Sequence, residues 1–389
     1  MNEGSTIFSQ LIAHASRDAL DRCIRRYQGN HRVRTFSCRD QFLVMAFAQL
    51  TYRESLRDIE ACLSALPDRL YHMGIRGNVS RSTLADANEQ RDWRIYADFA
   101  QGLIAEARRL YAGEPLDLDL EHTVYALDAT IIEFCIELFP WARFQKHVSG
   151  VKLHTLLDLR GPIPAFARIT AGNLADSHIL DALTPEPGSI YVFDRAYLDF
   201  VRLHRLNQAK AIFVTRAKKN QKLRRIYSRP VDRSTGLICD QTVVLAIAAT
   251  ARKYPEHLRR VRYKDPETGR GYVFITNDFD LPALTITKLY KSRWRIELFF
   301  KWIKQHLRIK AFYGRSPNAV STQIWIAISV YLIIAIVRKR LGIERDLYTL
   351  LQILSLSLFE RIPLEQALGS PNFADLKNPS ANQLLLLDL

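Results

Sequence analysis

Residues 290–304 read YKSRWRIELFFKWIK, with a single carboxylate, Glu297, among lysines, arginines and aromatics. On a helix of about 100° per residue, Tyr290, Arg293, Glu297, Lys301, Lys304 and Arg308 share roughly 80° of arc. Ser292, Ile296, Phe299, Phe300, Ile303 and Leu307 take the other side. One face is therefore core, and the other is a ladder of cations around one anion and one phenol. An i, i+4 pair between Glu297 and Lys301 contributes only about 0.2–0.5 kcal/mol and accounts for one lysine. A carboxylate holding a divalent metal ion, flanked by cations that grip phosphates, accounts for the whole stripe.

Metal-assisted phosphodiester cleavage needs several carboxylates around two ions roughly 3.5–4 Å apart. Mg²⁺ is a hard cation that prefers oxygen ligands. Glu297 then requires partners, best placed at strand ends where the backbone is rigid. Asp128 interrupts the apolar run TVYALDATII, and Asp194 interrupts SIYVFDRAY. An acid buried in such a strand is costly unless paired or metal-bound. Taken singly, each also fits an exposed strand end; together, upstream of the Glu297 helix, they form a candidate triad.

The elements that must position these residues follow from periodicity. Residues 1–112 carry apolar side chains at helical spacing, as in IFSQLIAHA and RDQFLVMAFAQLTY. Ser80 or Ser82 can cap a helix in NVSRSTLADANEQ, which fits either the end of a helix-turn-helix or a surface helix of a bundle. Beyond YAGEPLDLDLEH, TVYALDATIIEF predicts a strand, and VKLHTLLDLRGPIPAFARIT a hairpin turning at Arg160-Gly161-Pro162. ADSHILDAL predicts a short helix capped by Asp176. A strand (SIYVFDRAY), a helix (LDFVRLHRLNQA) and a strand (AIFVTRAKK) follow. Residues 217–275 predict a β-rich insertion containing TVVLAIAATARK, LRRVRYKD and GYVFITND, before helices resume at 282. The expected class is α/β, with an all-α region ahead of a catalytic unit at 118–345 and a helical segment at 346–389 that packs on protein.

The net charge of +15 calls for a polyanionic partner, nucleic acid or an anionic membrane. The apolar run IWIAISVYLIIAIV at 324–337 spans only about 21 Å as a helix, against the roughly 20 residues that a bilayer core requires. It reads as a buried helix, so no membrane partner is expected. Basic residues crowd 202–233, which reads as a nucleic-acid track. Five scattered cysteines form no C-x-x-C pair, and no signal peptide is evident, which points to a cytoplasmic protein. The histidines, His154 and His178 included, form no metal-spaced cluster. Trp294 and Trp302 read as packing residues, and Asp158 and Asp199 as turn or cap residues.

Tyr290, Arg293, Glu297 and Lys304 reproduce Y-x-x-R-x-x-x-E-x-x-x-x-x-x-K, which resembles the signature of the IS-four family of bacterial insertion-sequence transposases. LDAT at Asp128 and FDRAY at Asp194 resemble that family's aspartate motifs, and the likeness runs from about 124 to 335. It implies an RNase H-like mixed sheet, a DDE triad of Asp128, Asp194 and Glu297, and two Mg²⁺ or Mn²⁺ ions. It implies further that Arg216 in FVTRAKK binds phosphate, and that Tyr290, Arg293 and Lys304 hold transposon-end DNA. Arg195, Lys218, Lys219 and Lys301 extend this DNA-binding set. Relatives that cut through a DNA hairpin stack a flipped base on a tryptophan in the insertion's last strand; Tyr272 stands at the matching place. Two element ends joined to one target imply at least a dimer on DNA. The rival readings are a DNA-binding protein without catalysis and an RNase H-like nuclease without strand transfer.

Overall fold

The computed structural model describes residues 4–116, 120, 122–135, 137–145, 148–306 and 312–369. Seven helices come first: α1 (Ile7–Ala13), α2 (Arg17–Arg26), α3 (Cys38–Leu50), α4 (Leu56–Ser64), α5 (Pro67–Leu70), α6 (Arg81–Gln90) and α7 (Arg94–Tyr111). Thr6, Ser16, Ser37, Ser55 and Ser80 each accept an amide of the first turn that has no intrahelical partner. Ser80 is thus the cap of α6.

The strands are β1 (Val124–Phe134), β2 (Arg143–Gln145), β3 (Val148–Asp158), β4 (Ile163–Ala171), β5 (Ile190–Phe193), β6 (Ile212–Arg216), β7 (Leu223–Arg229), β8 (Leu237–Leu245), β9 (Leu258–Lys264) and β10 (Gly271–Thr276). They form one sheet in the order β2-β3-β1-β5-β6-β10-β9-β8-β7, with β4 also on β3. β1, β5 and β6 are parallel to one another, while β3 and β10 run antiparallel to β1 and β6. This is an RNase H-like mixed sheet. The hairpin between β3 and β4 turns where expected. A Cβ on Gly161 would lie 2.2 Å from the Tyr111 ring, so the turn seats its bare backbone on α7.

Alternation along the central strands divides the core. Val124, Ala126, Ile190, Val192 and Val214 face one hydrophobic cluster, and Tyr125, Leu127, Tyr191, Phe193 and Phe213 face another. The second cluster is covered by a 3₁₀ turn at Asp176–Ala182 and by α8 (Phe200–Gln208). The first is covered by α7, α10 (Ala283–Ser292), α11 (Trp294–His306) and α12 (Pro317–Arg340). α12 passes the length and apolarity test for a membrane span but is almost wholly buried, packed against α3, α6 and α7. It is a core helix. α13 (Leu347–Ser357) packs on α12, and α14 (Leu364–Leu368) follows it. The amides of Ile7 and Phe8 reach Glu360 and Leu358, tying the first helix to this end of the chain. Residues 370–389 of the expected C-terminal segment lie outside the described residues.

Several expectations are corrected. The strands of the 217–275 insertion do occur, and they extend the central sheet, because β10 pairs with β6 and β7–β10 follow it in order. TVVLAIAATARK is strand only to Leu245; Ala248–Ala251 form a helical turn, α9, where alanines lack the branched bulk that favours a strand. A strand at 223–229, β7, was not foreseen, because its arginines hide the alternation. Asp176 forms no helix cap; it pairs with Lys152 at 2.9 Å. Trp302 is buried as expected, but Trp294 is 49% exposed. Asp199 does cap α8, and Asp158 binds Arg160 at the hairpin turn.

The buried centre of α12 gives a stability test. Ile328→Ala, at a side chain with no exposure, is expected to cost about 2–5 kcal/mol in urea unfolding.

Candidate active site

Strand register brings two of the acids together. The last parallel partners of β1 and β5 are Leu127 and Phe193. Asp128 and Asp194 are the next residues on strands separated by roughly 4.8 Å. Phe193 also pairs with Thr215 of β6, so Arg216 continues the row. All three sit two residues beyond members of the same cluster (Ala126, Val192 and Val214) and face α10 and α11. This is the carboxyl end of the parallel strands, where open α/β sheets bind ligands.

The helices supply the third acid and its surroundings. Residues 290–308 are not one continuous helix: α10 ends at Ser292 and α11 begins at Trp294, with Arg293 at the junction. Arg293 stays in the helical region and keeps the i, i+4 contact with Glu297, and Ile296, Phe299, Phe300 and Ile303 form the buried side. Arg308 and Leu307 lie outside the described residues. The Tyr290 hydroxyl donates to Asp194 Oδ1 at 3.1 Å. Arg293 donates from Nη1 to Asp128 Oδ2 at 2.6 Å and from Nη2 to Glu297 Oε1 at 2.7 Å. One guanidinium thus joins two of the three acids, and the neighbouring phenol holds the third. Among the described residues, no three Asp, Glu, His or Cys side chains are gathered tightly enough to hold an ion, and Arg293 supplies the compensating charge.

The electrostatics follow from burial. Desolvation raises the Asp128 pKa, opposed by the Ala129 amide and Arg293 and reinforced by Glu297 and Asp194. Burial opposes the charge on Arg293, but Asp128 and Glu297 outweigh it and raise its pKa. Burial and the Asp194 carboxylate push Tyr290 up to about 12, so its hydroxyl keeps the proton that it donates. Hard carboxylate oxygens that repel one another are a donor set suited to divalent cations. The residues present fit such ions in chemistry, with Arg293 in place of an ion between Asp128 and Glu297.

The remaining candidates form two groups. Arg216 lies over the Tyr272 ring at 5.2 Å; Tyr272 stacks with Phe274, and Phe274 meets Tyr290 at 4.9 Å. A continuous aromatic row therefore connects Arg216 to the Asp194 side of the site. Arg195, Lys218, Lys219 and Lys301 are exposed, and Lys304 is half-buried. The basic track at 202–233 is only partly available: Arg202 and Arg205 are both paired with Asp181, at 2.7 Å. Three neighbours of the site went unanticipated. Phe274 was legible as the strand mate of Tyr272 at period two. Tyr197 lies three residues after Asp194, and its buried hydroxyl has no hydrogen-bond partner among the described residues. Thr155 is paired in register with Asp128 across 27 residues of hairpin and bulge, which no local pattern reveals.

With this geometry in view, comparison with known proteins is decisive. A family model described as a transposase DDE domain matches residues 119–333. The chain belongs to the DDE transposase family. A second family model, a domain of unknown function (DUF4372), matches residues 3–76. A Sinorhizobium fredii (strain NBRC 101917 / NGR234) protein named as transposase y4zB is 33% identical over 72% of this chain and 77% of its own length. A Geobacillus stearothermophilus protein named as a transposase for insertion sequence element IS5377 is 31% identical over 54% of this chain and 55% of its own. A Synechocystis protein (strain ATCC 27184 / PCC 6803 / Kazusa), named for insertion sequence element IS4SA, is 26% identical over 67% and 73%. Among solved structures, a piggyBac transposase synaptic complex with hairpin DNA has a TM-score of 0.45 and 11% identity, over 97% of this chain and 81% of that one. The protein is an insertion-sequence transposase, an enzyme acting on DNA, and divalent-metal dependence goes with its family.

The raised Asp128 pKa has a stability consequence. Below the ordinary carboxyl value of 3.8 the group is protonated both folded and unfolded, and burial carries no charge penalty. As pH climbs through that value and then the raised one, the unfolded chain ionises first, so stability falls across the window. Without divalent cations, Asp128→Asn is expected to melt above the wild type near pH 7, with the gap closing below 3.8. Calorimetric scans at the two pH values check this.

Proposed function

We propose that Asp128, Asp194 and Glu297 are the DDE triad of this transposase and hold two Mg²⁺ or Mn²⁺ ions. The observation that carries the reading is the Arg293 guanidinium joining Asp128 to Glu297 beside the Tyr290–Asp194 hydrogen bond. Three acids from remote parts of the sequence, served by one cation and one phenol, suit a site made for positive charge. When bound, the divalent ions supply an activated water and charge stabilisation at the leaving oxygen.

The chain's own residues do the rest. Tyr290 orients the Asp194 carboxylate by donating its proton. Arg293 links Asp128 to Glu297, and its fork is shaped to transfer to a phosphate when the carboxylates find another cation. Arg216, Lys218, Lys219, Arg195, Lys301 and Lys304 hold the DNA backbone, and Tyr272 offers a stacking face. Cleavage at the element's terminal inverted repeats frees 3′-hydroxyls that attack target DNA. Residues 1–112 serve as the DNA-binding region, 118–345 as the catalytic unit, and the segment from 346 as a protein contact. The enzyme works in the cytoplasm, as a homodimer when two ends are joined.

The test uses duplexes carrying the element's own terminal repeats, with Mg²⁺ and target DNA. Wild type is expected to cut at the repeat ends and join them, while Asp128→Ala lowers the rate by about 10³-fold or more with DNA binding retained. Cutting without joining would leave a nuclease. Binding without metal-dependent cutting would leave a non-catalytic DNA-binding protein.

A further inference from the structure

The region matched by the domain of unknown function contains a cavity of ≈ 580 Å³ to which Arg17, Arg34, Arg39 and Arg76 all contribute. Only two acids line it. Asp21 is paired with Arg17 at 3.7 Å. Asp40 is committed to capping α3, accepting from the Ser37 amide at 2.8 Å and the Ser37 hydroxyl at 2.6 Å. Arg34, Arg39 and Arg76 have no acidic partner among the described residues. The Arg39 Nη1 is buried without a hydrogen-bond partner among the described residues. Such a donor is costly unless a ligand satisfies it.

The surroundings select the ligand's charge. α2 and α3 both begin at this cavity, with Arg17 and Ser37 in its wall, and their positive dipole ends add to the arginine charge there, offset in part by Asp40 in the first turn of α3. Burial, followed by the nearby Arg17 charge, lowers the Arg39 pKa, with Asp21 and Asp40 opposing. Arg34 and Arg76 are exposed, and Tyr71 on the same wall is 83% exposed. This wall is open to a polymer as well as to a small ion.

We propose that this arginine pocket grips backbone phosphate of duplex DNA, seating the transposon end on the N-terminal helices. A phosphodiester presents two non-bridging oxygens that match guanidinium forks. The proposal rests on the reading of residues 1–112 as DNA-binding, and gives that reading specific residues.

The full-length protein is titrated with fluorescent duplex carrying the terminal repeats, at several salt concentrations. Arg34→Ala with Arg76→Ala changes exposed side chains, so an unchanged melting temperature verifies the fold. The double variant is expected to bind at least 10-fold more weakly, with the slope of log affinity against log salt reduced by roughly 0.9 for each phosphate no longer neutralised. Arg39→Gln is measured alongside, with the same direction expected. Unchanged affinity and slope in a folded double variant would overturn the proposal. So would a site that takes inorganic phosphate while leaving DNA affinity untouched by the substitutions. Asp128→Ala in the same titration separates the two readings: lost cleavage with an unchanged salt slope isolates the triad from the pocket, and persistent cleavage overturns the triad alone.

Discussion

The candidate site depends on the register of three parallel strands. Because Leu127 lies beside Phe193 and Phe193 beside Thr215, the next residues along form a row of Asp128, Asp194 and Arg216 at one sheet end. A slip of one residue in β5 would turn Asp194 toward the cluster containing Tyr191 and Phe193 and bury its charge among apolar rings. The fully buried alternation of these strands, with large side chains on both faces, makes such a slip prohibitive. Rigidity of the acid pair thus derives from hydrophobic packing several residues away.

Onto that fixed row the helices bring a more adaptable component. Arg293 lies where α10 gives way to α11, so its side chain can serve acids on a strand and on the following helix at once. Had the two helices been one straight rod, Tyr290 and Glu297 would have kept the relation given by 100° per residue. Tyr290 reaches Asp194 while Arg293 reaches Asp128, two contacts to neighbouring strands from four residues of chain.

What could be read in advance follows from the range of the forces involved. Asp128 and Asp194 stood out because an acid in an apolar strand is conspicuous at period two. The buried side of α11 was legible for the same reason at period 3.6. The junction at Arg293 was not, since no glycine or proline marks it and the backbone there stays in the helical region, φ −54°. Nor was the merging of β7–β10 with the central sheet, because the pairing of Phe274 with Arg216 joins residues with a whole insertion between them. The basic run at 202–233 misled in part: acids distant in sequence, such as Asp181, neutralise arginines that locally seemed unopposed.

α12 has a consequence for how the molecule can be divided. Its apolar surface is shared between the sheet-bearing part of the chain and α3, α6 and α7. Removing the first hundred residues would therefore strip the covering from a long greasy rod and leave it seeking other surfaces. The N-terminal helices and α12 stand or fall together, and exchange of the first hundred residues for another helical bundle would have to carry a matching α12 with it.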